Sequence, residues 1–182
     1  MSQTTRIDSL ISSPSASFEQ PFEMLHVCHE RMQRMLALLL RLREHMRAQG
    51  GDQQARDAAR DVLRYFGKAA PQHHLDEELH VFPPLLAGGD RPTRELVGRL
   101  QKEHVQMEEN WAVAQRVLEG VAEGRLQALA GADDAALEAF SSLYAGHIAA
   151  EEGIAYPAAA ALLDAGAVQA MGQEMAQRRN SG

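Results

Sequence analysis

The spacing of apolar residues constrains the fold more than any other feature of this sequence. Apolar side chains recur three and four positions apart along most of the chain, which places them on one face of an α-helix. Residues that favour turns divide the pattern into four long helices, expected at about residues 21–49, 52–86, 92–124 and 133–164. Because short connections favour antiparallel neighbours, we predict an all-α, up-down-up-down four-helix bundle with a short extra C-terminal helix.

The predicted helix limits follow from glycine, aspartate and proline. Gly50 and Gly51 end the first helix through positive φ, Asp52 suits the N-cap of the second, and Pro92 suits the first turn of the third. Three further prolines should kink or end the helices locally: Pro71, Pro83 and Pro157. We expect a flexible segment at 1–20, the bundle at 21–166, and a helical or disordered tail at 167–182.

Composition excludes several classes of protein. The chain has 182 residues, 45% of them hydrophobic, which suits one well-buried core. Its net charge of -7 and the absence of a basic stripe argue against binding to nucleic acid or anionic membranes. The single cysteine, Cys28, rules out an intrachain disulfide framework. Without an 18-residue apolar run or a signal-peptide pattern, we expect a soluble cytoplasmic protein.

Each predicted helix carries one histidine where an apolar residue belongs. On two of the helices a glutamate follows one turn later on the same face, about 6 Å along the axis. In the fourth helix the predicted core-facing row continues to Ile154. The six polar members of these rows are His29, His73, Glu77, His104, His147 and Glu151.

Taken singly, such residues have ordinary explanations, since a lone core histidine is usually hydrogen-bonded and a glutamate pair is usually solvated. Together, four imidazoles and two carboxylates would be costly to bury, at several kcal/mol per group, unless a partner satisfied them. A pair of metal ions would do so. Imidazole and carboxylate ligate iron, manganese and zinc, and a carboxylate can bridge two ions.

An internal repeat supports this set. The histidines of the first two helices stand at positions 29 and 73, and those of the last two at 104 and 147, so each helical hairpin supplies two. The second histidine of each hairpin precedes a proline by ten positions, which pairs Glu77 with Glu151 and Phe82 with Tyr156. In this register the counterpart of His74 is Ile148, and we expect His74 at a helix interface or in solvent.

The motifs "HVCHERMQRMLALL", "HHLDEELHVFP", "KEHVQMEENW" and "HIAAEEGIAYP" together resemble the bacterial hemerythrin-like, histidine-histidine-glutamate cation-binding proteins, over about residues 22–163. Ferritin-like di-iron bundles carry Glu-x-x-His instead. The resemblance implies two bridged non-haem iron ions, although manganese and zinc also suit these ligands. It assigns Glu77 and Glu151 as bridges, and as terminal ligands it assigns His29, His73, His104 and His147.

The sequence departs from the family in its number of histidines. Hemerythrins that carry oxygen use five, two of them one turn apart on the third helix, whereas here Glu108 stands one turn after His104. Either Glu108 is a ligand or the fifth nitrogen comes from His26, which lies roughly 60° round the helix from His29. The alternatives are an outward salt bridge for Glu108 and a hydrogen bond to a ligand for His26.

The resemblance implies that dioxygen or a related small oxidant binds to the metal pair. Because oxygen ligands favour oxidation of the metals, sensing or scavenging is expected rather than bulk transport. A second hypothesis is a di-iron enzyme of the peroxidase, oxidase or iron-sulfur-cluster repair type, although the cysteine-containing N-terminal domain usual in repair proteins has no counterpart here. A third is a metal-dependent signalling module that uses the segment "AVQAMGQEMAQRRN" as an interface with an unidentified protein partner.

Overall fold

A computed structural model describes residues 17–180, and this part of the chain is helical without strands. Residues 1–16, which make up most of the segment predicted to be flexible, lie outside the described residues. Two π-helical turns, Glu77–Val81 and Glu151–Ala155, interrupt the α-helices. The α-helices are α1 Pro21–Ala48, α2 Gln53–Asp76, α3 Phe82–Gly88, α4 Arg91–Ala122, α5 Gly131–Ser141, α6 Tyr144–Ala150, α7 Tyr156–Leu162 and α8 Ala165–Asn180.

The limits of α1 and α2 follow local chemistry that the sequence predicted. Gly50 leaves α1 with a φ of 82°, in the region that favours glycine. Asp52 caps α2, because its carboxylate accepts a hydrogen bond from the backbone N–H of Ala55 at 2.9 Å. Asp90 caps α4 in the same way through Thr93, also at 2.9 Å.

The two π turns were not predicted. In each, a backbone N–H donates to the carbonyl five residues earlier, from Phe82 to Glu77 and from Tyr156 to Glu151. Each turn therefore holds one residue more than a regular α-helical turn. A proline follows in the first turn of the next α-helix, in α3 and in α7.

The π turns change which residues face the core. In a regular helix, Ile154 would return to the face of His147 after seven residues. The extra residue rotates the following chain by roughly 100°, so Ile154 is 52% exposed and its predicted core position is wrong. Ala155 and Tyr156 are buried instead.

The core consists of two apolar clusters separated by a polar layer. In α1, for example, His29 lies between Leu25, which belongs to the smaller cluster, and Met32, which belongs to the larger one. His104 in α4 has the same position between Leu100 and Met107. The predicted polar residues therefore occupy a layer across the interior of the bundle.

Helix α8 packs against the end of the bundle that holds the smaller cluster. Its Met171 and Met175 are buried in that cluster. Asp76, which is fully buried, accepts hydrogen bonds from Arg178 at 2.9 Å and from Arg179 at 2.5 Å. These contacts fix α8 to the end of α2, beside the first π turn.

Within residues 17–180, no single helix is long and apolar enough to cross a membrane. The segments Gly131–Leu162 and Ala165–Asn180 reach that length and apolarity only when taken together, and they are bent by 118° with respect to each other.

Candidate metal centre

Six buried side chains converge in the polar layer, and they are the six that the sequence placed in the core-facing rows. They form two groups of four, in each of which one potential ligand atom per residue lies within 4.8 Å of the others. Both groups contain Glu77 and Glu151. The first group adds His29 and His73, and the second adds His104 and His147.

The ligand atoms approach one another closely but leave several polar atoms without hydrogen bonds. The Nε2 atoms of His104 and His147 are 3.1 Å apart. Nε2 of His147 also lies 2.9 Å from Oε1 of Glu151. Among the described residues, both carboxylate oxygens of Glu151 and both ring nitrogens of His73 are enclosed without a hydrogen-bond partner. Native proteins rarely bury such atoms unpaired, so the donor set fits a pair of cations.

The electrostatics of the cluster also suit cations. Burial favours the neutral form of Glu77, but His73 and His104 beside it hold the pKa of this carboxyl well below its ordinary value. Burial opposes protonation of His104, yet Glu151 and Glu77 raise the pKa of its imidazole to about 10. In the metal-free site, protons on the imidazoles thus balance the two buried carboxylates. Metal ions would take over this role by displacing the protons.

A second set of carboxylates orients the histidine rings. The Nδ1–H of His29 donates to Glu152 at 3.0 Å, and that of His104 donates to Glu78 at 3.0 Å. The third such bond joins His147 to Glu103 at 2.8 Å. Such bonds fix the tautomer of a histidine, leaving the other ring nitrogen free to bind metal.

Sequence reasoning missed these orienting residues because an acidic pair usually marks a solvated surface. Glu78 and Glu152 directly follow the two central glutamates, and each holds a histidine of the other hairpin. The signal that could have found them is the repeated Glu-Glu pair at equivalent positions of the two hairpins.

Tyr156 is a further residue of the site, and its role was not predicted from the sequence. Its hydroxyl donates a hydrogen bond to Oε1 of Glu77 and lies 3.2 Å from Nε2 of His29. Burial and the nearby carboxylates of Glu77 and Glu151 raise the pKa of Tyr156, so its hydroxyl keeps its proton. Phe82, its counterpart in the first hairpin, stacks on His104 with ring centroids 5.5 Å apart.

His26 and Glu108, the two alternatives for a further ligand, lie outside both groups of ligand atoms. The side chain of His26 is 46% exposed, and its Nδ1 lies 3.2 Å from Glu152. His26 therefore contacts a residue that orients His29. Glu108 is exposed on α4, next to the buried Met107. The geometry favours the alternative role for His26, whereas Glu108 makes none of the ion pairs found among the described residues.

A cleft between α2 and α4 leads to one side of the centre. Its volume is about 390 Å³, and its walls are largely aromatic and apolar. His74 and His104 line it together with Phe66, Trp111, Phe140 and Tyr144. A small molecule could reach the second group of ligands by this route.

The sequence profile of the Hemerythrin HHE cation binding domain matches residues 20–159. The chain therefore belongs to the hemerythrin family, which confirms the resemblance found in its motifs. An uncharacterised protein of Haemophilus influenzae is 32% identical over 164 residues, which cover 90% of this chain and 92% of that protein.

Proposed function

We propose that the chain holds two non-haem iron ions and binds dioxygen or a related small oxidant for sensing or scavenging. The observation that carries this proposal is the pair of four-residue groups that share Glu77 and Glu151. Because Glu77 and Glu151 belong to both groups, they would hold both ions, and each carboxylate has two oxygens to offer. The terminal ligands are His29 and His73 on one ion, and His104 and His147 on the other.

Iron is the metal that membership of the hemerythrin family favours, although the donor set also suits manganese and zinc. Two ferrous ions, when bound, would supply the electrons that reduce a small oxidant. The protein's own contribution is to exclude bulk water and to fix the rings through Glu78, Glu103 and Glu152. Tyr156 holds Glu77 in place and offers a hydroxyl beside the first ion.

The proposed architecture is an up-down-up-down bundle over residues 21–166, followed by a tail that contains most of α8. It is supported by the short connections at 49–52, 89–90 and 123–130. We place the protein in the cytoplasm, because its single cysteine suits a reducing compartment. We propose a small oxidant as the ligand, and we propose that the protein binds neither nucleic acid nor membranes.

The test is to load the metal-free protein anaerobically with ferrous iron, count the bound ions, and record the optical spectrum as oxygen is admitted and removed. Two ions per chain and an absorption band that appears with oxygen and disappears on its removal support a reversible binder or sensor. An irreversible change to a ferric spectrum supports scavenging. Failure to bind two ions, or iron that does not respond to oxygen, contradicts the proposal.

The cleft favours a di-iron enzyme as the second candidate. A volume of about 390 Å³ exceeds what dioxygen alone requires and lies within the range of small-molecule sites. Sustained consumption of peroxide or of oxygen with a reductant would distinguish an enzyme from a sensor, which binds without turnover. A signalling role for the tail is less favoured, because α8 packs its buried side chains against its own bundle.

A further inference from the structure

We propose that α8 positions the carboxylate of Glu77, because it holds the first π turn on both sides of this residue. Docking of α8 and binding of metal would then be coupled, and each would strengthen the other. The inference rests on the proposed metal pair. It concerns a helix that lies outside residues 20–159, the region that matches the family profile.

The first observation is a continuous network of polar side chains that joins α8 to the first hairpin at two points. Asp76 directly precedes Glu77 and accepts a hydrogen bond from Arg178 at 2.9 Å. His80 lies within the π turn, and its Nε2–H donates to Glu174 at 2.6 Å. Arg178 connects the two points, since it also donates to Glu174 at 2.6 Å. Asp76, His80, Glu174 and Arg178 together form the α8 network.

The second observation is the burial of Asp76. Its side chain is fully enclosed, and a buried carboxylate is costly unless hydrogen bonds and an opposite charge compensate it. Arg178 supplies this compensation, and it also donates to the backbone carbonyl of Gln72 at 3.3 Å, one turn earlier in α2. Detachment of α8 would leave the carboxylate unpaired unless the end of α2 opened to water. That opening would displace the backbone directly before Glu77.

The third observation comes from the repeat of the two hairpins. In the second hairpin, Ala150 and Ile154 occupy the positions of Asp76 and His80, and neither side chain can form a hydrogen bond. Ile154 is 52% exposed. The π turn itself therefore does not require polar side chains at these positions. The polar pair of the first hairpin serves the attachment of α8.

The position of Glu77 depends on the π turn that it begins. Such a turn holds one residue more than an α-helical turn, so its loss would rotate the chain on one side by roughly 100° relative to the other. Glu77 belongs to both groups of candidate ligands. A contact that fixes this turn would therefore influence both ions, although Arg178 is not one of the ligands. Arg178 is in this sense a positioning residue.

The test compares the wild-type protein with Arg178→Ala, which removes the centre of the α8 network. Metal-free samples are titrated with Co²⁺, whose visible absorption reports the number and type of its ligands. We expect the variant to bind cobalt at least roughly fivefold more weakly, with a changed ligand-field spectrum. His80→Ile reproduces the residue of the second π turn and removes only the link to Glu174. It should cause a smaller change in the same direction, and it decides the question if Arg178→Ala does not fold.

Hydrogen–deuterium exchange of the backbone amides provides a second measurement. In metal-free Arg178→Ala, exchange should be faster than in the wild type in α8 and at residues 77–81, and unchanged at residues 151–155. Because coupling is reciprocal, metal loading of the wild type should slow exchange in α8.

The control is Arg43→Ala, which removes a buried guanidinium from a comparable network. Arg43 donates to Asp134 at 2.9 Å and to Glu138, roughly 21 Å along α1 from His29. The variant should lose stability but keep the affinity for cobalt, the cobalt spectrum and the exchange rates at residues 77–81. An equal loss of affinity in this control would overturn the proposal, because the effect would then reflect global stability.

Faster exchange in α8 of Arg178→Ala, combined with wild-type affinity and an unchanged cobalt spectrum, would also overturn the coupling while leaving the metal pair intact. If the wild-type protein fails to bind two ions, the proposed function fails. The exchange measurement on metal-free protein still decides whether α8 holds the first π turn. Faster exchange at residues 77–81 in Arg178→Ala supports that contact, and unchanged exchange there contradicts it.

Discussion

The two hairpins supply the same set of candidate ligands but surround them differently. Each contributes two histidines and one glutamate, and the glutamates occupy the first position of matching π turns. The differences lie at the neighbouring positions, where the first hairpin has His74, Asp76 and Phe82 and the second has Ile148, Ala150 and Tyr156. The repeat therefore accounts for two similar groups of candidate ligands, and the exchanged neighbours make the two groups chemically distinct.

The residues that orient the rings differ as well. Glu103, which precedes His104, accepts a hydrogen bond from Nδ1 of His147 at 2.8 Å. The matching residue before His29 is Cys28, a free thiol. Nδ1 of His73 has no hydrogen-bond partner among the described residues. The first site therefore has one orienting carboxylate fewer than the second, which should make its ring positions less constrained.

The largest effect is expected from the shared carboxylates. Because Glu77 and Glu151 belong to both groups of ligands, Glu77→Ala and Glu151→Ala should each abolish binding of both ions. Elemental analysis of iron-loaded protein measures this directly. Glu108→Ala, which removes an exposed carboxylate of α4, is the control and should keep two ions. A variant of either shared glutamate that keeps both ions would show that the residue does not bridge them.

A smaller loss is expected from the terminal ligands. His73→Ala and His147→Ala each remove one imidazole from a different group, so each should cost at least one ion. Comparison of the two variants by elemental analysis also tests the equivalence of the hairpins. Full retention of two ions in both variants would refute the assignment of these histidines.

The affinity for metal should rise with pH. In the metal-free protein the pKa of His104 is about 10, so this imidazole is protonated at neutral pH and must lose its proton to bind metal. Each displaced proton increases the apparent affinity by about tenfold per pH unit below that pKa. Titrations with Co²⁺ at pH 6, 7 and 8 measure the slope. An affinity independent of pH over this range would contradict the protonated state.

The helices and the six central residues could be predicted because they obey a regular period. Each histidine replaces an apolar residue at a step of three or four, so the apolar pattern also gives the direction of the side chain. The π turns could not be predicted in this way, since one extra residue leaves the pattern before the turn unchanged. Their one trace in the sequence is the pair of prolines, Pro83 and Pro157, at the same distance from His73 and His147.

The surroundings of the ligands were harder to predict than the ligands themselves. Glu78 and Glu152 lie at the edge of a helical face, where a carboxylate is usually solvated, and their partners belong to the other hairpin. The extra residue of the second π turn brings Tyr156 onto the face of the site. A regular helix would place it roughly 180° away from His147, nine residues earlier. These contacts depend on tertiary packing that no local pattern contains.

The next prediction concerns Asp76, whose carboxylate joins α8 to the first hairpin. Asp76→Ala should lower the free energy of unfolding by about 1.5–3 kcal/mol, because the buried carboxylate accepts hydrogen bonds from Arg178 and Arg179. The matching residue, Ala150, shows that this position can hold alanine. Urea unfolding measures the loss, and faster amide exchange in α8 should accompany it. Arg91→Ala breaks an exposed ion pair with Glu95 and should change stability by no more than about 0.5 kcal/mol.

The smallest effect is expected from the exchange of Tyr156 for the residue at the matching position. Tyr156→Phe should keep two ions, because the hydroxyl donates to a proposed ligand and is not itself one of the six. Loss of that hydrogen bond should destabilise the metal-free protein by about 1–2 kcal/mol in urea unfolding. The control Tyr65→Phe removes a hydroxyl that donates to the backbone of Cys28, away from the carboxylates.

The number of bound ions decides what Tyr156 contributes to the difference between the hairpins. Two ions in Tyr156→Phe, with an altered iron spectrum, would mean that the hydroxyl tunes a site whose ligands come from the repeated residues. Loss of one ion would contradict that prediction, since the phenol oxygen would then belong to the ligand set. In that case the two hairpins would differ in the ligands themselves, and the first ion would have an oxygen donor that the second lacks.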